Sequence, residues 1–249
     1  MGLPPGMRNT QPFLPSGVEK WAATNSCLGS GRLTFRAAFR SMRGAIFLAP
    51  VSAGLPASPA LLFTSCDGLL RKTEIRFLVP DYFQDLSSGS PGVSGFGDLA
   101  LGVKQQIGPL HGFDLSAILF VSFPTGANGI SSHGYDPGLQ LPWSHKLSEN
   151  WTAAGQVAFY WPTQDHRRNF MGETTLLADR QLARPWDVFV EYAGDFPQRG
   201  GTRQFLHFGT AYKLTNRQQL DFHVAVGLSD AASRAYIGFG YSFLIVPRK

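Results

Sequence analysis

The feature of this sequence that most constrains its fold is an alternation of apolar with polar or small residues, repeated along most of the chain. In its last instance, Ala235 to Ile245, one face of an extended strand is apolar and aromatic, and the other is small or polar. Alone, such a strand fits a soluble β-sandwich, whose apolar face meets a core, or an outer-membrane barrel, whose apolar face meets lipid. Whether the pattern repeats decides between them.

The alternation recurs in about ten segments of roughly 7 to 11 residues, close to the length of about 9 to 11 with which a β-strand crosses a bilayer. The segments are Glu74 to Val79, Gly97 to Ile107, Phe113 to Phe123, Leu139 to Leu147, Trp151 to Trp161, Gly172 to Leu182, Trp186 to Tyr192, Gln204 to Leu214, Leu220 to Leu228 and Ala235 to Ile245. Each places its larger apolar side chains on one face.

The connections between these segments alternate strictly in length. The short ones are Gly108 to Gly112, Ser148 to Asn150, Ala183 to Pro185 and Thr215 to Arg217. The long ones are Pro80 to Phe96, Pro124 to Gly138, Pro162 to Met171, Gly194 to Arg203 and Ser229 to Arg234. Outer-membrane barrels alternate in this way between short periplasmic turns and longer external loops. We therefore predict an all-β fold, an antiparallel up-and-down transmembrane β-barrel of about 10–12 strands, with a soluble β-sandwich or lipocalin-like barrel as the alternative.

Aromatic residues on the predicted outward faces fall into two bands, as expected where rings lie at both lipid interfaces. The periplasmic band holds Trp151, Trp186, Tyr212, Tyr241 and Phe243, and the external band holds Phe123, Trp161 and Tyr192. The weaker explanation is that strands favour aromatic residues in any case.

The charge distribution argues against a nucleic-acid partner. The sequence pI is about 9.4, but the excess of basic residues lies at the N-terminus. Before Glu74 there are eight Lys and Arg and two Asp and Glu, whereas from Glu74 onward there are fourteen Lys and Arg and fifteen Asp and Glu. The body of the protein is thus nearly neutral, without the basic surface that DNA or RNA requires. The two cysteines, Cys27 and Cys66, give no zinc spacing and no disulfide framework, and we expect no metal and no cofactor.

Residues 1–73 show no sustained periodicity and are rich in Pro, Gly and Ser, so we predict a poorly ordered N-terminal leader or a misassigned start before a barrel over 74–249. Within the leader, Met42-Arg-Gly precedes an apolar run of about ten residues and then small residues, as in a secretion signal. Residues Leu61 to Lys72 offer at most a degraded strand.

Charged and polar residues on the inward faces are candidates to line a narrow lumen, where they either pair and support the wall or form a polar path for a solute. The candidates are Asp98, Lys104, Asp114, Glu173, Asp187, Glu191, His207, Lys213, Asp221 and His223. Among them Asp187, Glu191, His207 and His223 are predicted to form a constriction.

The external loop Gly126 to Pro137 carries three further candidates for ligand contact, His133, Tyr135 and Asp136. No catalytic residues are predicted. A barrel hydrolase needs a nucleophile beside a base, and the nearest pair, Ser144 and His145, points to opposite faces of a strand. A structural or adhesive barrel without transport is the other alternative.

Several motifs are similar to one known family: Gly95-Phe-Gly-Asp-Leu-Ala-Leu-Gly-Val-Lys-Gln-Gln-Ile-Gly, FVSFPTG over Phe120 to Gly126, and His133-Gly-Tyr-Asp-Pro. They resemble outer-membrane transporters of the MetA-pathway of phenol degradation family. The resemblance implies a porin-like barrel in the outer membrane of a Gram-negative cell, contact with membrane lipid, and passage of aromatic or other small molecules. It also implies that Phe243 is the terminal aromatic recognised by the outer-membrane assembly machinery. The oligomeric state is left open.

Overall fold

The computed structural model describes residues 42–52, 63–70, 72–79, 82–84, 94–164, 166–216 and 218–245. Its sixteen strands are β1 (Met42–Ser52), β2 (Phe63–Leu70), β3 (Thr73–Val79), β4 (Tyr82–Gln84), β5 (Ser94–Phe96), β6 (Leu99–Gln106), β7 (Phe113–Phe123), β8 (Asp136–Lys146), β9 (Trp151–Tyr160), β10 (Thr163–Gln164), β11 (Arg167–Arg168), β12 (Met171–Ala183), β13 (Trp186–Pro197), β14 (Arg203–Thr215), β15 (Gln218–Gly227) and β16 (Ala235–Ile245).

Twelve of these strands form one antiparallel sheet in the order β1-β16-β15-β14-β13-β12-β9-β8-β7-β6-β3-β2. Except where β1 joins β16, neighbours in the sheet follow each other along the chain, as in an up-and-down barrel. The strands at the two ends of this order, β1 and β2, approach within 8 Å between Cα atoms. The predicted fold, an antiparallel transmembrane β-barrel of about 10–12 strands, is confirmed. Within the described ranges, no helix is long and apolar enough to cross a membrane.

The predicted segments correspond to strands of the sheet, and two of them, Phe113–Phe123 and Ala235–Ile245, have the predicted ends. Strand β13 extends five residues beyond the predicted end at Tyr192, because Ala193 to Pro197 continue the antiparallel pairing with the start of β12. Strand β8 begins three residues before the predicted Leu139. Its Pro142 has no N–H to donate, and the pairing of β7 with β8 skips two residue pairs there, between Leu115↔Trp143 and Ile118↔Gln140.

The N-terminal part of the chain differs from the prediction. Residues 42–52 and 63–70, which the sequence analysis places in the leader, are strands β1 and β2 of the main sheet. Strand β1 pairs with β16 from Met42↔Ile245 to Ser52↔Tyr236, and β2 pairs with β3. The physical reason is that an unpaired edge of β16 would expose backbone hydrogen-bonding groups to lipid. The leader prediction for residues 1–41 lies outside the described residues.

The two faces of the sheet have the predicted polarity. The outward apolar residues of β6, for example Leu99 and Val103, are 42% and 45% exposed, whereas Lys104 on the inward face of the same strand is 1% exposed. Inside, rings lie against glycines of the neighbouring strand: Phe120 against Gly138 and Phe189 against Gly209. Glycines on the inward face therefore leave room for large rings of the neighbouring strand, and these rings occupy part of the lumen.

This packing predicts that Gly209→Ala destabilises the barrel by about 1–3 kcal/mol, the usual cost of overpacking, because a Cβ atom at Gly209 would lie 2.1 Å from Cζ of Phe189. Gly172→Ala is the matched control, since its nearest atom is 3.9 Å away on Phe170. The measurement is the temperature at which the folded band is lost in heat-modifiable gel electrophoresis. Equal transition temperatures for both variants would contradict the packing.

Candidate functional site

The interior of the barrel carries a set of buried polar side chains, here called the belt. Alternation places them on the inward face, and almost none of their surface is accessible. The belt comprises Arg76, Lys104, Ser116, Gln156, Glu173, Thr175, Glu191, His207, Asp221 and His223. Buried charged side chains are costly unless they are paired, hydrogen-bonded or hydrated. Burial of the belt lowers the stability of the barrel unless its charges are paired or hydrated, so we consider the belt as the candidate functional site.

Within the belt, a chain of contacts joins three strands. His207 on β14 lies with Nδ1 at 3.3 Å from Oε2 of Glu191 on β13, and its Nε2 is 2.7 Å from the hydroxyl of Tyr236 on β16. Glu191 and His207 are fully buried, and Tyr236 is nearly so. The pairing follows from register, because Glu191 stands directly opposite His207 in the β13–β14 ladder. Both imidazole nitrogens thus have a neighbour, which fixes the ring across the lumen wall.

Two further side chains of the belt, Asp221 and His223 on β15, lie over glycines of β16. His223 covers Gly238, and Asp221 covers Gly240. Both ring nitrogens of His223 and the Oδ1 atom of Asp221 are buried, and none of these three atoms has a hydrogen-bond partner among the described residues. His207 differs in that its Nε2 has a hydrogen-bond partner, whereas its Nδ1 lies beside Glu191 without a hydrogen bond.

Other inward charges are paired near the two mouths. At the periplasmic end, Lys213 Nζ lies 2.8 Å from Oδ2 of Asp187. At the external end, Arg203 Nη2 lies 3.3 Å from Oδ2 of Asp195. Between them, Gln156 donates a hydrogen bond of 3.0 Å to Glu173.

Basic and acidic residues occupy opposite walls of the belt. In a closed sheet of twelve strands, strands six places apart in the order face each other, so β6 faces β14 and β3 faces β13. Lys104 on β6 and Arg76 on β3 thus stand across the lumen from His207 and Glu191. Apolar side chains fill the rest of this level, among them Ile118, Leu177 and Phe189, each less than a tenth exposed. The inward side chains at these positions are thus packed rather than solvated.

The predicted lumen residues separate into three groups. Lys104, Glu173, Glu191, His207, Asp221 and His223 meet in the buried belt. Asp187 and Lys213 pair below it, and Asp114 is exposed near the periplasmic end. Asp187 therefore lies apart from the other three residues of the predicted constriction.

Asp98 differs from the other predicted lumen residues. Its carboxylate lies just before β6 and accepts hydrogen bonds of 2.8 Å from the backbone N–H groups of Gly126 and Ser132. Both oxygens therefore hold the external loop between β7 and β8 to the end of β6.

Sequence reasoning missed Arg76 and Tyr236. Both lie on the inward face of predicted strands, between outward Ile75 and Phe77 in one case and before Ile237 in the other. The alternation that identified Lys104 would have found them.

Two of the three loop candidates have side-chain contacts with neighbouring residues, and the third is exposed. Asp136 accepts hydrogen bonds from the N–H and the hydroxyl of Thr163, at 3.0 and 2.7 Å. The Tyr135 ring meets Phe123 edge-on at 5.8 Å between centroids. His133 is exposed, with a φ of 55°. Their role in ligand contact stays a prediction.

No group of three or more His, Cys, Asp or Glu side chains among the described residues is arranged to hold a metal ion. The Ser144–His145 pair is separated as the alternation predicts. Nδ1 of His145 lies 2.8 Å from the carbonyl oxygen of Gly112, and its ring stacks on Phe113 at 4.4 Å. His145 is thus part of the aromatic rim.

The loop anchor gives a prediction that separates it from a lumen role. Asp98→Ala removes both acceptors for Gly126 and Ser132, so we expect the loop over 124–135 to be cut faster by proteinase K added to intact cells. Asp230→Ala, which changes an exposed acid in another external loop, is the control. Unchanged cleavage of Asp98→Ala would contradict the anchor.

Comparison with solved structures places the fold among outer-membrane channels. The COG4313 outer membrane channel from Pseudomonas putida F1 aligns with a TM-score of 0.60 at 12% identity, over 86% of this chain and 98% of that chain. The NanC porin aligns at 0.55 and 9% identity, and the KdgM porin at 0.53 and 9%, each over 82% of this chain and 98% of its own. At such identities the likeness establishes the fold alone.

Sequence comparison gives the family. No curated protein matches the chain. Residues 68–245 match the family described as Putative MetA-pathway of phenol degradation. This range takes in the sheet from the end of β2 to β16 and the whole buried belt. The chain therefore belongs to the MetA-pathway of phenol degradation family.

Proposed function

We propose that this barrel is a channel of the outer membrane that passes small solutes, including aromatic ones, through a narrow lumen. The observation that carries the proposal is the buried belt. A barrel with a purely structural role can pack its interior with apolar side chains, whereas this one keeps buried charges from β3, β6, β12, β13 and β15 on its inward face. Charged rings of this kind are how pores select their solutes.

The family and the folds of its neighbours support the same function. Solved barrels with TM-scores above 0.5 are called channels or porins, and one of them, the KdgM porin, has a structure in complex with disordered oligogalacturonate. The family description refers to phenol degradation, which supports aromatic molecules as solutes.

A structural or adhesive barrel is the second candidate, and the close packing of the belt favours it. A channel of this design must move side chains to conduct, and the contact chain Glu191–His207–Tyr236 is the obstacle on one wall. The two candidates therefore differ in whether removing that chain changes the flow of ions.

A barrel hydrolase is disfavoured by access. The order carboxylate, imidazole and hydroxyl in Glu191, His207 and Tyr236 resembles the partners of a nucleophilic triad. However, none of the three is more than 2% exposed, so no ester or phospholipid reaches them. We propose that the protein is not an enzyme.

The test is single-channel conductance in planar lipid bilayers. We expect discrete conductance steps for the wild type and a severalfold larger step for His207→Ala, because this change removes the ring that bridges Glu191 and Tyr236. Phe208→Ala, one residue away on the lipid-facing side, is the control and should leave the step unchanged. Absence of current from both the wild type and His207→Ala would favour the structural barrel.

A further inference from the structure

On the lumen wall formed by β15 and β16, two buried polar side chains have atoms without hydrogen-bond partners. Asp221 and His223 project inward from β15, two residues apart on the same face. They are 7% and 1% exposed, and Oδ1 of Asp221 and both ring nitrogens of His223 have no partner among the described residues. A buried polar group without a partner costs about 1–3 kcal/mol, and more if it is charged. Two such neighbours indicate that something outside the described chain satisfies them.

The chemistry of the two side chains defines that occupant. An ionised carboxylate only accepts hydrogen bonds, and a neutral imidazole accepts at one of its nitrogens. Asp221 has no basic partner among the described residues, whereas the acids near the mouths, Asp187 and Asp195, each have one. For Asp221 and for the accepting nitrogen of His223 the missing partner is a donor, and beside a carboxylate a positively charged donor is favoured.

Aromatic rings border the same place. The ring of Tyr236 lies 5.9 Å from His223 between centroids, and the ring of Phe205 lies 5.5 Å from Tyr236. Faces of such rings attract cations. An anion would meet the Asp221 carboxylate with no compensating base on these two strands.

The charge of the described inward faces agrees with this reading. Eight acids with described side chains lie on the inward faces of the strands: Asp114, Asp136, Glu173, Asp179, Asp187, Glu191, Asp195 and Asp221. Five bases with described side chains lie there: Arg76, Lys104, Lys146, Arg203 and Lys213. The difference of three negative charges disfavours entry of anions along the path to the belt.

We propose that Asp221 and His223 form a site for a positively charged group, either a small inorganic cation or the ammonium group of a solute, and that the channel therefore prefers cations to anions. This inference rests on the proposed channel function and names the solute class of the same lumen. It distinguishes this chain from the KdgM porin, which shares its fold and has a structure with oligogalacturonate.

The experiment measures the reversal potential of the purified protein in planar bilayers under a KCl gradient. We expect the sign that marks potassium as the more permeant ion. In Asp221→Asn, which keeps the size of the side chain, the ratio of potassium to chloride permeability should fall severalfold. Asp230→Asn is the matched control, since it makes the same substitution at an exposed position in an external loop outside the lumen, and should leave the ratio near that of the wild type.

Replacing potassium by ethylammonium separates the two possible occupants. A comparable current supports an ammonium group, whereas a strongly reduced current supports an inorganic ion. A wild type that prefers chloride or does not select overturns the inference while leaving the channel in place, and this result needs no variant to fold. The same holds if Asp221→Asn and Asp230→Asn have equal ratios. Absence of any current in all three proteins would overturn both the channel and the site.

Discussion

The rest of this structure depends on one constraint: inside a bilayer every backbone N–H and C=O must be paired within the protein. The sheet satisfies it with twelve antiparallel strands, and strand β16 is paired on both of its sides, by β15 and by β1. The same demand explains why β1 and β2 come together although they are the ends of the hydrogen-bonded order. It also limits where Pro142 can be tolerated, at a gap in the pairing of β7 with β8.

The interior of a twelve-stranded barrel is narrow, and glycines on the inward face leave space for large side chains of the neighbouring strands. Phe120, Phe189 and His223 lie across Gly138, Gly209 and Gly238, so each large side chain occupies the space that the neighbouring strand leaves empty. This keeps the interior dense without forcing the strands apart. The outward faces pack against lipid instead, where the rings form rims. Examples are Trp151 under the guanidinium of Arg180 at 5.3 Å, and the pair of Phe159 and Phe170.

The period of two in the sequence was enough to predict the strands and their inward residues, because alternation is a local property of the chain. It predicted Lys104, Glu191 and His207 as lumen residues, and all three are buried. It could not predict which of them meet. The contact between His207 and Tyr236 joins β14 to β16, which are not neighbours in the sheet, so it depends on the curvature of the closed barrel. Strand β1 was not predicted, because its apolar run after Met42 has the same composition as a secretion signal.

The two histidines of the belt show how similar sequence positions acquire different roles. His207 and His223 both occupy the middle of an inward face, and their ring centroids are only 5.7 Å apart. His207 stands opposite Glu191 in register, with Nδ1 at 3.3 Å from its carboxylate, and Nε2 lies 2.7 Å from the hydroxyl of Tyr236. His223 stands opposite Gly238, which offers no side chain, and neither of its ring nitrogens has a hydrogen-bond partner among the described residues. His207 therefore has one hydrogen-bonded nitrogen and a carboxylate beside the other, whereas His223 keeps hydrogen-bonding capacity that water or a solute can use. Strand β16 accounts for this difference, because it offers the Tyr236 hydroxyl to His207 and only Gly238 to His223.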